Sequence, residues 1–343
     1  MIINIERTGE KKIMKNYKWL TLILAMLVLV LAACSSKEES TEGTESNATP
    51  AEEATETESA TTYPLTVKST VEGYADVTFE KVPEKIVVMD YGFLDTLDTL
   101  GVEVTGVAKG NFPEHLAKYA DDKYLNAGTL KEPLFEDIAA MEPDAIFISG
   151  RQADFYDQLS EIAPTVFVGV DTANYWNSFI DSVNIAAELF GKQDLAEEKL
   201  AEVEAAIEEV KTVAGENGKA LVTLYNETLS AYGPGEGSRF GYVHSVFGFK
   251  AADETLEDST HGAQVTYEQV LKINPDILFV VDRLSATGEK SNVKEAIEND
   301  IINKTTAAQN GKIVYLDGAL WYLVTGGLQS ELAKVEEIKE KLK

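Results

Sequence analysis

One phrase of this chain occurs twice. Phe135 to Arg151 reads FEDIAAMEPDAIFISGR, and Tyr267 to Arg283 reads YEQVLKINPDILFVVDR. Aligned without gaps, the Glu, Pro, Asp, Phe and Arg positions are identical, and aromatic or aliphatic character matches at several others. Each copy reads as a short helix, a Pro-Asp turn, a buried strand and an arginine just past the strand's C-terminal end. Repetition of a whole helix-turn-strand unit predicts two parts built alike, an α/β chain of two lobes with similar topology and a ligand cleft between them.

Strands and helices alternate along the rest of the chain, as an α/β fold requires. Lys85 to Asp90, Ala145 to Ser149, Thr165 to Val170, Ala220 to Tyr225, Ile277 to Val281 and Lys312 to Leu316 read as strands, with helices over Asp154 to Ile162 and Asn174 to Phe190. Between the copies, Gln193 to Ala214 carries Leu200, Val203, Ile207 and Val210 at three- and four-residue spacings, the apolar stripe of one long helix. Gly191 and Gly215 bracket that helix as stops. A single helix joining two lobes is a stiff hinge, so closure of the cleft is expected to be small. The predicted division is residues 63–191 for the first lobe, 192–214 for the connecting helix and 215–343 for the second lobe.

The first 62 residues are of another kind. Lys11, Lys12, Lys15 and Lys18 precede an apolar run from Trp19 to Ala33 that is short for a membrane span and ends in small residues, as an export signal does. Met14 begins a more usual signal than Met1. The only cysteine, Cys34, follows Leu31-Ala32-Ala33, and this Leu-Ala-Ala-Cys is similar to the lipobox at which bacterial lipoproteins are cleaved and acylated. The expectation is a signal peptide over 1–33 and, over 34–62, a lipidated cysteine with a Ser, Thr, Glu and Ala tether lacking aromatics to bury.

Charge narrows the function. Subtracting the leader's +3 and the tether's −7 from the formal −28 leaves −24 for the part from Tyr63 onward. Such a surface repels nucleic acid, and no basic stripe interrupts it. Against this background the arginines stand out. The chain has four, and loss of the leader removes Arg7, leaving Arg151, Arg239 and Arg283. Two of them end equivalent strands, where open α/β sheets bind ligands, and Arg239 lies in the glycine-rich loop Gly233 to Gly241. A guanidinium keeps its charge and offers five donors in a rigid fork, so three converging arginines suit an oxygen-rich, multiply anionic ligand.

From Tyr63 onward the sequence resembles the siderophore-binding lipoproteins of Gram-positive ABC importers, the helical-backbone class of substrate-binding proteins. Within that class it is most similar to the group that binds ferric petrobactin and related catecholates. The matching stretches are Val87 to Val102 (VVMDYGFLDTLDTLGV), both copies of the repeat, the GSRFG loop, Ser259 to Gly262 (STHG) and Leu320 to Leu328 (LWYLVTGGL). The resemblance implies that Arg151, Arg239 and Arg283 surround an anionic iron complex. It also implies that His261 and Tyr322 stand near the ligand and coordinate iron directly where the chelator leaves positions open. Glu136 and Glu268, which share one position of the repeat, become the residues that dock each lobe to the membrane permease. The implied place of work is the extracellular face of the cell membrane, anchored by lipid on Cys34. No intrinsic cofactor is expected, because the ferric siderophore is cargo.

Two other readings remain. The same scaffold could carry haem, cobalamin or another bulky chelate, which would predict cleft chemistry not centred on three arginines. An exported siderophore esterase would need a nucleophile with its base, and the chain has neither a G-x-S-x-G elbow nor an H-E-x-x-H helix. A bare-metal receptor is disfavoured because His115, His244 and His261 are the only histidines. The expectation is therefore a binding protein and not an enzyme.

Overall fold

The computed structural model describes residues 61–343; Cys34, the leader and nearly all of the acidic tether lie outside the described residues. A short hairpin of β1 (Leu65–Val67) and β2 (Val77–Phe79) opens the described part. The first lobe is then built on five parallel strands in the order β5-β4-β3-β6-β7, namely β3 (Ile86–Val88), β4 (Gly106–Val107), β5 (Leu125–Asn126), β6 (Ala145–Ile148) and β7 (Thr165–Phe167). Both faces of β3, β6 and β7 are covered, which is why these strands are apolar runs and do not alternate. Helix α1 (Tyr91–Thr99) starts directly after β3, where the Asp90 carboxylate accepts the Phe93 N–H at 2.9 Å.

The second lobe uses β8 (Lys219–Asn226), β9 (Thr228–Tyr232), β10 (Lys250–Ala251), β11 (Ala263–Val265), β12 (Ile277–Asp282) and β13 (Ile313–Leu316). The sheet runs β11-β9-β8-β12-β13, with β10 also paired to β8. The lobes share the helix-turn-parallel-strand unit but are not copies. β8, β10, β12 and β13 run parallel to one another, whereas β9 turns straight back antiparallel on β8, and β11 pairs antiparallel to β9. That reversal takes place at Glu227, which adopts φ 60°.

The repeated phrase folds alike in both lobes, atom for atom in places. Helix α2 (Phe135–Ala140) precedes β6, and helix α5 (Tyr267–Ile273) precedes β12. The residue before each proline, Glu142 in one copy and Asn274 in the other, is left-handed at φ 50° and φ 51°. The following aspartates then clamp the head of the neighbouring strand. Asp144 Oδ2 accepts the N–H groups of Glu84 and Lys85 at 3.0 and 2.9 Å, and Asp276 Oδ2 accepts that of Lys219 at 2.8 Å. Asp144 is held below the ordinary carboxylate range by those two backbone donors. Pro-Asp is therefore a strand-starting device, and its reuse fixes where each arginine emerges.

Helix α3 (Tyr175–Phe190) leads into the connecting helix α4 (Gln193–Asn217). The latter buries Val203, Ile207 and Val210 of the expected stripe together with Ala196 and Ala214, while Leu200 is only half-buried. It does not stop at Gly215, as anticipated, but two residues later, before Gly218 at φ 88°. A glycine whose own φ is helical costs about 1 kcal/mol relative to Ala and ends nothing by itself; the stop needs a positive φ. The last helix, α7 (Leu328–Lys341), leaves the second lobe and packs against α1 and α4. One apolar cluster consequently runs from the first sheet through α4 and α7 to one face of the second, and a smaller one, including Leu221, Leu278, Val280 and Ile302, covers the other face.

Candidate functional site

The repeat places Arg151 three residues past the end of β6, in the 3-10 turn Gly150–Phe155, and makes Arg283 the first residue of the short helix α6 (Arg283–Ala286) after β12. Both therefore stand at carboxyl ends of parallel strands, one in each lobe. Arg239 comes from the glycine-rich loop, which is pinned by the Asp258 carboxylate accepting the Gly235 N–H at 2.7 Å. A Cβ at Gly233 or Gly235 would strike Asp258, so glycine is required there for close approach.

The three arginines meet on one ring. Their guanidinium carbons lie 5.9 Å (Arg151), 5.2 Å (Arg239) and 5.5 Å (Arg283) from the centroid of Tyr322. Tyr322 belongs to a π-helical turn, Ala319–Leu323, of the kind often found at functional sites. The hydrogen bonds that fix the groups go to neutral acceptors. Arg151 donates to the carbonyls of Tyr322 and Leu323 at 2.7 and 3.2 Å, and Arg239 Nε to that of Thr260 at 3.0 Å. Arg283 donates to the Tyr322 hydroxyl at 3.1 Å and to Asn226 Oδ1 at 2.7 Å. Among the described residues no carboxylate forms an ion pair with any of the three. In so acidic a chain, three grouped cations without a direct ion pair among the described residues concentrate positive potential at this site.

The electrostatics follow from this crowding. Burial and the neighbouring charge of Arg239 depress Arg151, while Asp90 pulls it the other way. Burial alone would raise the Tyr322 phenol, but the Arg283 hydrogen bond and the charges of Arg283, Arg239 and Arg151 hold it below the ordinary tyrosine value. Tyr91 is pushed well above that value by burial, and its hydroxyl has no hydrogen-bond partner among the described residues.

A cleft of about 340 Å³ opens beside this cluster, lined from the first lobe by Tyr91, Lys109, Asn111 and Arg151, and from the second by Arg283, Thr287 and Tyr322. Its wall contains residues that sequence reasoning did not single out. Asn111 and Lys109 reach it only because β4 ends there, and neither carries a motif. The other expected residues are placed as follows. His261 is exposed, and its backbone N–H donates to Ser259 Oγ at 3.1 Å; it directly follows Thr260, whose carbonyl holds Arg239. Glu136 and Glu268 are exposed in the first turns of α2 and α5. Tyr175 and Trp176, which begin α3, do not line the cleft. Tyr175 is buried against Tyr242, and Trp176 lines a separate cavity against α4. Among the described residues no group of three or more His, Cys, Asp or Glu side chains could hold a metal ion.

Two α/β lobes, one long connecting helix and a cleft between the lobes define a two-lobed substrate-binding protein. The chain belongs to the periplasmic binding protein family, whose model matches residues 86–320. It is 45% identical over 266 residues to the petrobactin-binding protein YclQ of Bacillus subtilis, covering 76% of this chain and 83% of that protein. The crystal structure of YclQ superposes with a TM-score of 0.78 at 43% identity, covering 81% of this chain and 98% of the other. The ferric-anguibactin-binding protein FatB of Vibrio anguillarum is 31% identical over 264 residues, covering 75% of this chain and 81% of FatB.

Proposed function

We propose that this chain is the lipid-anchored substrate-binding protein of an ABC importer, which captures a ferric siderophore of the petrobactin-like catecholate type at the outer face of the membrane and delivers it to the permease. The observation that carries this reading is the ring of Arg151, Arg239 and Arg283 around Tyr322, none of them in a direct ion pair with a carboxylate among the described residues. A ferric tris-catecholate is trianionic, flat-ringed and rich in oxygen acceptors. It matches three forked cations and an aromatic face better than a neutral or cationic ligand would. A lowered phenol also suits Tyr322 to join ferric iron as phenolate if a chelator leaves positions open, with His261 as its partner.

The relatives' names support the same class, and the family supports binding over catalysis. Cys34 is the proposed lipid attachment, residues 1–33 the signal peptide and 34–62 the tether, followed by lobes over 63–191 and 215–343 joined by residues 192–214. No helix among the described residues is long and apolar enough to cross a membrane. Glu136 and Glu268, exposed and equivalent, are the proposed contacts to the permease.

The test is a tryptophan-fluorescence titration of the 343-residue chain with ferric catecholates, ferric hydroxamates, haem and cobalamin, read against a Trp321→Phe variant because Trp321, the neighbour of Tyr322, shares the signal with Trp19 and Trp176. Saturable quenching by a ferric catecholate far more strongly than by the others is expected. Preference for haem or cobalamin would keep the scaffold and remove the arginine mechanism.

A further inference from the structure

Among the described residues, hydrogen bonds join the lobes at Arg151, in the loop that carries Arg239, and at Asn111. Arg151 reaches the carbonyls of Tyr322 and Leu323, and the Gly237 N–H donates to the Thr172 carbonyl at 3.3 Å. The third is the Asn111 side chain, whose Nδ2 donates to the Ser285 carbonyl at 3.1 Å and to the Ala286 carbonyl at 3.0 Å. Of the three, only this one is made by an uncharged side chain that itself lines the cleft.

Both ends of the Asn111 link are held fast. On its own side, the Lys109 N–H donates to the Gly128 carbonyl at 2.7 Å, and Lys109 Nζ donates to the carbonyls of Tyr119 and Asp121 at 2.7 and 2.8 Å. Phe112, the next residue, packs on Tyr91 with ring centroids 4.7 Å apart. On the far side, Ser285 and Ala286 lie in α6, the helix that begins with Arg283, and Ser285 Oγ donates to the Asp282 carbonyl at 3.0 Å. Neither anchor can drift without breaking further bonds. Asparagine fits because one nitrogen offers two donors to two successive carbonyls; aspartate has no donor and would set a charge against them.

We infer that Asn111 is a clasp that sets the width of the cleft on the side lined by Lys109, Gly110, Ala286 and Thr287, and thereby selects among anionic chelates by size. The inference rests on the chelate-binding reading above. A chelate too broad for the gap must break both hydrogen bonds before it reaches the arginines, whereas a narrower one of equal charge need not. Asn111 is thus a specificity-determining residue that acts on the lobes, not on iron.

The test compares the 343-residue chain with its Asn111→Ala, Asn111→Asp and Asn111→Gln variants. Asn111 is exposed, so none of these threatens folding. Lobe separation without ligand is read as a distance distribution between spin labels attached, by chemistry that spares cysteine, at the exposed positions Ala117 and Lys290. Affinity is read for two hexadentate ferric tris-catecholates of equal charge, one with plain rings and one with naphthalene-fused rings. The Ala and Asp variants should broaden the distance distribution and reduce preference for the smaller chelate by about tenfold, the effect of two lost neutral hydrogen bonds, with Gln in between. An unchanged distribution in both variants overturns the clasp whatever the chelates do. A broadened distribution with unchanged preference overturns the selection. If the unmodified chain binds neither chelate while the variants still broaden, the functional reading falls and the clasp stands.

Discussion

At Tyr322 burial and charge oppose each other, and charge prevails. Because its folded-state value is depressed, ionisation of this phenol favours the folded protein. That contribution is fully present above the unfolded tyrosine value and is lost as pH falls through the folded one. Arg283→Ala removes the hydrogen bond and the nearest charge, so the phenolate titration of Tyr322 should move upward, with Arg283→Lys between. Spectrophotometric titration against a Tyr322→Phe control checks this, and an unmoved midpoint would show that Arg283 does not govern the ring. Binding should respond separately. Each charged hydrogen bond contributes about 1.5 to 3 kcal/mol, so Arg151→Ala, Arg239→Ala or Arg283→Ala should weaken a ferric catecholate roughly tenfold to a hundredfold. The melting temperature should barely change, because each removal also relieves repulsion among like charges; unaltered affinity in all three variants would dismiss the triad.

Among the elements, α4 and the glycine-rich loop separate stability from function. Ile207 is 4% exposed on the buried stripe of α4, remote from the cleft lining. Ile207→Ala should cost about 2 to 5 kcal/mol in urea unfolding through lost burial and a residual cavity, yet leave chelate affinity intact below the transition. The loop behaves in the opposite sense. Asp258→Ala frees the Gly235 N–H that holds the loop carrying Arg239, so it should lower affinity with little loss of stability. Retained affinity in titration calorimetry would mean that the loop keeps its shape without that carboxylate.

Over the whole molecule the lobes are tied at their backs by a buried polar cluster. Glu331 and Lys334 of α7 are both fully buried, with Lys334 Nζ 2.8 Å from Glu331 Oε1. Tyr175 of the first lobe donates to the same Oε1 at 2.6 Å, and its ring stacks on Tyr242 of the second with centroids 4.2 Å apart. Lys334→Met would strand a buried carboxylate and should destabilise the protein by about 3 to 5 kcal/mol in chemical denaturation. The pair Lys334→Met with Glu331→Gln should recover much of that loss. A single variant of ordinary stability would mean that water relieves Glu331. The same scale holds the docking proposal. Glu136 and Glu268 are exposed on separate lobes, so reversing both to Lys should abolish uptake by cells while sparing binding, and normal uptake would remove the claim.

The sequence by itself determined the part of this protein that depends on local chemistry. Helix, Pro-Asp turn and apolar strand are short-range signals, so the strand cores were legible, as was the placing of Arg151 and Arg283 at matching strand ends. Helix α4 was legible by its stripe, but its end was not, since Gly215 carries no sign in the sequence of whether its φ is positive. The hairpin of β1 and β2, the two-residue strands β4 and β5, and the antiparallel β9 and β11 were not read. They are too short or too dependent on their neighbours for periodicity to reveal. Only the tertiary structure decided that Arg239, from a loop, shares a ring with the other two arginines. It alone decided that α7 crosses back to the first lobe and that Asn111 meets carbonyls 174 and 175 residues away. Those contacts are set by how two separately formed sheets are locked around α4 and α7, and long-range packing of that kind leaves no mark on the residues next to it in the chain.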